Sequence, residues 1–394
     1  MNPLRVLVTD GEQRSTLAIV RSLGRAGHHV EIASTSGRSL AGASRYCRAD
    51  HAVPAPLEEP ARFGEQILAL CEERSIGALI PVTEASLRVL LPLRSRLGDV
   101  LLPFPHHQVF ARVSDKSAIL ATAAGLGIAV PEQTTLHNRE AADGLSIKYP
   151  VVLKPWVSVV AEAGRNRKLG VVHVGDHAEL GAALNDFPDA AFPVLVQRRI
   201  IGPGVGIFLL IWGGKTKATF AHRRIREKPP SGGVSVYRES IDAPSEWTAQ
   251  AEALLRHMDW SGVAMVEFKL DETTGTPYLM EVNGRFWGSL QLAVDAGADF
   301  PRLLLQAASG EETSEPLRYS SGIRLRWELG DADHLLARLS RSNAKLHLPA
   351  GTPSRLRTLL SVAIPWKPGE RWEVLRPSDP RPFLREVSLW LRGR

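Results

Sequence analysis

Two apolar runs separated by a short polar turn constrain this chain more than any other stretch: "VAMVEFKL" at 263–270, "DETTGTP" at 271–277 and "YLMEVN" at 278–283. Runs of this length around a Gly/Pro-containing turn read as an antiparallel hairpin. If Leu270 pairs with Tyr278, Glu267 falls directly opposite Glu281. Opposed side chains lie about 4.5–5.5 Å apart at Cβ, and like charges there repel. Asn283 and Arg285 follow at intervals of two, on the same face of the strand. Two carboxylates and an amide oxygen are hard ligands suited to Mg²⁺, which is usually held by one or two carboxylates together with substrate phosphates. The pair therefore asks for a nucleotide nearby. The alternative is a solvent-facing hairpin whose acids happen to align.

The rest of the composition is compatible with a soluble ligand-binding protein. The chain has 394 residues, 44% hydrophobic and 23% charged, enough for two to four domains or subdomains. A formal charge of +6 suits an anionic ligand, but the basic residues are dispersed and no Lys/Arg run points to nucleic acid. Cys47 and Cys71 make neither a disulfide framework nor a CxxC site, which fits a reducing compartment. "MNPLRVLVTDG" enters a strand directly and lacks the build of a signal peptide. No apolar run reaches the roughly 18–20 residues of a membrane span. A cytoplasmic location is expected.

Along the chain, "RVLVTDG" and "EQRSTLAIVRSLGRAGHHVEIAS" read as strand, turn, helix, glycine and strand, the opening of a doubly wound sheet. The turn has one early glycine, not G-x-G-x-x-G, so this region reads as scaffold and not as the nucleotide site. Ser114 or Asp115 is placed to cap a helix that Gly125 and Gly127 would end. "YPVVLKPW", "GVVHVGD" and "FPVLVQRRI" are three short strands, and "IFLLIWGGKTKATFAHRRI" is a hairpin turning at Gly213–Gly214. Residues from about 311 are rich in Arg, Pro and Trp and carry no motif. The terminal "FLREVSLWLRGR" reads either as a packed helix or as a basic amphipathic helix that touches an anionic membrane or a partner.

At the hairpin the sequence resembles the ATP-grasp superfamily, whose C-terminal hairpin typically reads Glu … Glu-x-Asn-x-Arg. The resemblance covers roughly residues 1–310, with several motifs in the family's order. It implies an α/β (α+β ATP-grasp) fold: a Rossmann-like pre-ATP-grasp domain at 1–112, a small subdomain at 113–196, a large subdomain with the metal site at 197–310, and a C-terminal extension at 311–394. "VVLKP" matches the strand whose lysine holds the α/β phosphates, here Lys154. "SDKSAIL" supplies a second phosphate-binding lysine, Lys116. "VLVQRRI" matches the hinge that cradles adenine, through Gln197 and the backbone at Arg198 and Ile200. Glu267, Glu281 and Asn283 would carry Mg²⁺, with Mn²⁺ as an alternative ion, and Arg285 would steady the transferring phosphate or an acyl phosphate.

Two departures stand out. The loop after Lys154 is "WVSVVAEAGRNRKLG", where Arg165, Arg167 and Lys168 flank Gly164 in place of several glycines. The hinge carries Arg198 and Arg199 where an acid is common, so no ribose-binding acid is assigned. "HRRIREKPPSGGVSVYRES" at 222–240 resembles the ATP-dependent carboligase subgroup and is expected to be a shaped loop. Its Arg224, Arg226 and Arg238 would grip a substrate carboxylate or the γ-phosphate, a role suited to planar guanidinium groups. Ser231, Ser235 and His222 are left structural. The activity implied is an ADP-forming carboxylate–amine ligation through an acyl phosphate, with ATP and Mg²⁺, an amino acid or related small molecule as one substrate, and a homodimer as the assembly. The rivals are an ATP-grasp kinase acting on a hydroxyl and a non-catalytic ATP-binding module.

Overall fold

The computed structural model describes residues 3–162, 165–311, 317–349, 351–364 and 369–393. The first part is a parallel sheet of β1 (Arg5–Val8), β2 (His29–Ser34), β3 (Cys47–Ala52) and β4 (Ala78–Ile80) in the order β3-β2-β1-β4. Helices α1 (Arg14–Arg25), α2 (Pro60–Glu73) and α3 (Glu84–Leu90) cover it. Leu17, Ile19, Val20 and Leu23 form the buried side of α1, and Gly27, at φ +91°, takes the left-handed position that ends it. The turn after β1 is already filled by a carboxylate. Asp10 accepts hydrogen bonds from the Thr83 N–H (3.0 Å) and the Ser86 hydroxyl (2.8 Å). A phosphate does not belong beside that charge, in keeping with a scaffold role for this region.

Helices α4 (His107–Ser114) and α5 (Lys116–Gly125) lead out of this sheet, and the Asp115 side chain caps α5 by accepting from the Ala118 N–H at 3.0 Å. A small antiparallel sheet follows, built from β5 (Gln133–Leu136), β6 (Val151–Pro155), β9 (Val172–Val174) and β10 (Val194–Arg198) in the order β5-β10-β6-β9. Its own core forms around Leu153, Val196 and the Leu180 and Leu184 side chains of α6 (His177–Asp186). The stretch after Lys154, expected as a phosphate loop, is a two-stranded hairpin of β7 (Val159–Glu162) and β8 (Arg165–Lys168). Gly164 lies outside the described residues. The Asn166 N–H and side chain bond the carbonyls of Leu57 and Pro56, so this hairpin leans on the first domain.

The large sheet has seven strands in the order β15-β14-β11-β12-β13-β16-β17. β11 (Gly204–Trp212) and β12 (Lys215–Lys228) turn at Gly213–Gly214, both at positive φ, as a two-residue hairpin turn requires. β13 (Val234–Ile241) pairs with β12, so residues 222–240, expected as a loop, form a hairpin whose register shifts at Arg224–Glu227, with only 229–233 outside the strands. Helix α7 (Ser245–His257) precedes β14 (Gly262–Leu270) and β15 (Pro277–Asn283). α8 (Leu290–Ala296) and α9 (Phe300–Ala308) follow, and α9 packs on β11, β12 and β14.

The chain beyond 311 completes this sheet. β16 (Arg324–Arg326) pairs with β13, and after α10 (Glu328–Ser340) and α11 (Arg355–Ala363), β17 (Glu370–Trp372) closes the edge before α12 (Arg381–Arg392). One apolar core joins the first sheet to the large sheet. Buried ion pairs fasten the tail onto it. Arg21 of α1 donates to Asp379 through Nε (2.9 Å) and to the Val374 carbonyl (2.8 Å), and Asp379 also accepts from the Ser44 hydroxyl at 2.7 Å. Arg21 and Asp379 are 1% and 2% exposed, so truncating one strands the other in a dry site. Asp379→Ala is expected to cost about 3–5 kcal/mol, read as a lowered midpoint in urea denaturation.

Candidate active site

The hairpin of β14 and β15 sets the site. Glu267 lies opposite Glu281, as expected, but the register is not uniform. Leu270 pairs with Pro277 and Lys269 with Tyr278, one residue out from the expected pairing, and a bulge at Met280 restores the register so that the two acids meet. The acids are largely enclosed, and other charges answer their repulsion. Arg224 of β12 forms ion pairs with Glu267 and, at 2.7 Å, with Glu227. To reach Glu267 it crosses β11 over Gly204, where a Cβ would stand 3.0 Å from the Arg224 side chain. Asn283 donates to Glu281 at 2.8 Å and accepts from Arg285 at 3.1 Å, which makes an acid–amide–guanidinium series along β15.

Burial and neighbours divide the two carboxyls. Burial pushes Glu267 up to about 7, with Arg224 opposing and Glu281 reinforcing the rise. Burial also acts upward on Glu281, but Lys116, Lys154 and the Asn283 amide outweigh it and hold the group below the usual carboxylate range. Lys154, at the end of β6, is pulled down to about 8 by burial, against the pull of Glu281 and Glu267. Lys116 at the start of α5 donates to the Ser158 hydroxyl at 2.9 Å. The two lysines come from different elements and bring their charge to the same hairpin face.

Lys154 and the hairpin groups, but not Lys116, border a cavity of about 410 Å³ between the small and large sheets. Lys154, Glu267, Glu281, Asn283 and Arg285 line it, with Val152, Ile200 and Met280 as apolar walls. His173 and Lys269, which the sequence reading did not single out, also line it, as does Arg199, noted there only as a departure in the hinge. Burial lowers His173 to about 4, so it is a neutral imidazole. Lys269 donates to the Ile200 carbonyl at 3.0 Å and stands two residues from Glu267 on the same face, a spacing the sequence did display. A second space of about 580 Å³ continues past Arg199, Ile200, Arg224 and Lys269 and is walled by the tail at His334, Arg338 and Arg357.

Several expected site residues lie elsewhere. Gln197 is fully buried and donates to Gln133 Oε1 at 3.0 Å across the β5–β10 ladder, and Arg198 gives its N–H to the Glu132 carbonyl. Neither borders the cavity; of the expected hinge residues Ile200 alone does. Arg226 is drawn away by Asp331 in a two-pronged ion pair of 2.6 and 2.5 Å and lies against the tail, not beside the carboxylates. Arg238 is wholly buried and paired with Glu373 at 2.6 Å. Both arginines thus anchor the tail, because its acids are the nearer partners. His222 is more than a wall residue: it borders the cavity, with no hydrogen-bond partner for either ring nitrogen among the described residues, and burial keeps it neutral. Among the described residues no group of three or more His, Cys, Asp or Glu converges as a metal site, so a cation here would rely on two carboxylates and an amide.

A sheet hairpin with paired acids, lysines from two other elements and a cleft between two sheets define a class of nucleotide-handling α/β protein, and the comparisons give the class a name. Residues 192–330 match the family described as ATP-grasp in the biosynthetic pathway with Ter operon. A D-alanine–D-alanine ligase of Anaeromyxobacter sp. (strain K) is 28% identical over 238 residues, 55% of this chain and 74% of that ligase. The L-amino acid ligase of Bacillus licheniformis superposes with a TM-score of 0.63 at 20% identity, covering 81% of this chain and 78% of that one. The biotin carboxylase domain of Hydrogenobacter thermophilus 2-oxoglutarate carboxylase, solved with MgADP and bicarbonate, gives 0.62 at 16% identity over 80% and 72%. The chain has the ATP-grasp fold and carries an ATP-grasp domain.

The Arg224–Glu267 pair can be tested without a ligand. Arg224→Met should destabilise the protein by about 3 kcal/mol at pH 8, where the parent's ionised Glu267 loses its guanidinium partner beside Glu281. Arg224 opposes the rise of Glu267 to about 7, so without it the folded carboxyl ionises only at still higher pH, and the penalty grows as pH rises above about 7, where the parent ionises Glu267 against Arg224. The loss is therefore smaller at pH 5, and Arg224→Met combined with Glu267→Met recovers most of it, as urea titrations at the two pH values would read.

Proposed function

We propose that this chain is an ATP-dependent carboxylate–amine ligase that works through an acyl phosphate and releases ADP and phosphate. The observation that carries the reading is the opposed Glu267/Glu281 pair, continued by Asn283 and Arg285 and set in the field of Lys116 and Lys154 at a cavity between the two sheets. Enclosed carboxylates forced together are expensive unless cations accompany them. The likeness to a D-alanine–D-alanine ligase and an L-amino acid ligase supports the same reading.

The donor set fits Mg²⁺: Glu267, Glu281 and the Asn283 oxygen are hard ligands on adjacent strands, and each now has a cationic or amide partner to release. Held there, the ion would supply charge neutralisation for the β- and γ-phosphate oxygens. The chain's own residues do the rest. Lys154 and Lys116 face the phosphates. The Ile200 carbonyl is occupied by Lys269, which leaves its N–H to meet the base. Val152 and Met280 give the base apolar walls.

A substrate carboxylate oxygen attacks the γ-phosphorus, the bond to the β-phosphate oxygen breaks, and ADP leaves. An amine then attacks the acyl carbon, phosphate departs with the bonding pair, and the amine loses its proton to complete the amide. Arg285 holds the phosphoryl oxygens during the first step and the oxyanion during the second. Arg224 is placed to receive a substrate carboxylate when it leaves Glu267. An amino acid is the substrate class favoured for one of the two partners.

Purified protein with Mg·ATP, pooled amino acids and small carboxylates should release ADP and free phosphate in equal amounts. Release of ADP without phosphate would make the chain a kinase. Glu281→Gln should lower turnover about 10²-fold with an unchanged thermal midpoint, and full activity in that variant would remove Glu281 from the site.

A further inference from the structure

The tail turns its acids inward and shows its bases. Between 336 and 394 the sequence carries twelve Lys and Arg against four Asp and Glu. Three of the four acids, Glu370, Glu373 and Asp379, are buried, and Glu386 accepts from the Trp327 indole at 2.8 Å. Arg341, Lys345, Arg355, Arg357, Arg381 and Arg392 are exposed. No carboxylate of this stretch is therefore presented to solvent among the described residues.

Set among those cations is apolar surface on the wrong side for a helix that serves only its own fold. α11 turns polar side chains to the protein: Thr358 is buried, and the Ser361 hydroxyl accepts from Arg226 at 3.3 Å. Its leucines point out. Leu356, Leu359, Leu360 and Ile364 are 65%, 38%, 57% and 46% exposed, and their spacing of three, four and eight puts them on one face. α10, packed against α11, exposes Leu336 and Leu339. Leu384 and Leu391 of α12 are exposed as well. Nine of the fourteen large apolar side chains exposed among the described residues fall within 336–391. Concentrated apolar exposure of this kind marks an interaction face.

The charge decides the occupant. A second copy meeting this face across a two-fold axis would set the same cations against themselves, with no exposed carboxylate of this stretch to pair them. An anionic lipid surface supplies negative headgroups for the arginines and hydrocarbon for the leucines. No helix among the described residues is long and apolar enough to cross a membrane, so the contact is peripheral. We propose that α11, together with the exposed leucines of α10, forms a docking face for an anionic lipid surface, with α11 lying in the headgroup plane. The inference is independent of the reaction catalysed.

The test is flotation of the full chain with phosphatidylcholine vesicles, with and without a quarter of phosphatidylglycerol. Binding should be about tenfold stronger with phosphatidylglycerol and weaken in high salt. Leu356→Glu with Leu360→Glu, and separately Arg355→Glu with Arg357→Glu, should abolish it while the thermal midpoint stays at the parent value, since all four side chains are exposed. Lysine in place of both arginines should restore it. Absence of flotation with either vesicle, or equal binding to both, overturns the proposal. So does a dimer in sedimentation that Leu360→Glu dissolves without any vesicle binding by the parent.

Discussion

Glu267 and Glu281 face one another across a hairpin, and accommodating that repulsion organises the middle of the molecule. Two enclosed carboxylates at neighbouring positions cannot both stay ionised without nearby positive charge. The charge arrives from three separate elements: Arg224 from β12, Lys154 from the small sheet, and Lys116 from the helix that packs on β15. Each approach needs its own local device. β11 gives up a side chain at Gly204 so that Arg224 can pass. The Met280 bulge slips the register by one so that the acids coincide. Asp115 fixes the start of α5 and with it the place of Lys116. The hairpin thus makes sense only inside the assembled fold.

The tail belongs to the same electrostatic construction. Arg226 pairs with Asp331, Arg238 and Arg14 with Glu373, Arg326 with Glu370, and Arg21 with Asp379. Buried pairs are poor evidence of net stability, because desolvation offsets much of the attraction. What they do here is fix position: each of these tail acids has a particular arginine on α1, β12, β13 or β16, so the tail has one seat. In that seat it adds β16 and β17 to the large sheet and walls the second cavity with His334, Arg338 and Arg357. Turning its acids inward leaves its own outer surface cationic.

Much of the fold was legible because it is written in local patterns. The first strand–helix–strand unit, the Asp115 cap, the turn at Gly213–Gly214 and the opposition of Glu267 to Glu281 all depend on residues close in sequence. The tail was not legible, since β16 and β17 are three residues each and take their meaning from an edge presented by β13. Arg226 and Arg238 were expected at a substrate because nothing in their neighbourhood shows the acids about 100 residues or more downstream that claim them. The bond from Gln197 to Gln133 was hidden for a related reason: its partner is 64 residues upstream. Lys269 is the instructive omission. The alternation that aligned Glu281 with Asn283 also aligns Glu267 with Lys269.

The enclosure has a further consequence for how the site meets a ligand. Burial moves Lys154 down to about 8, His173 down to about 4 and Glu267 up to about 7. All three shifts run toward neutrality, so the site holds less charge than its side chains would carry in water. Among the described residues Arg199 is only partly answered: its side chain has one carbonyl contact, to Ser231 at 3.4 Å, and its Nε has no partner. A polyanion entering such a cavity gains twice. It finds cations already desolvated, and its own charge favours the protonated form of Lys154. Selectivity for a highly charged ligand thus follows from the depth of the cleft as much as from the residues that line it.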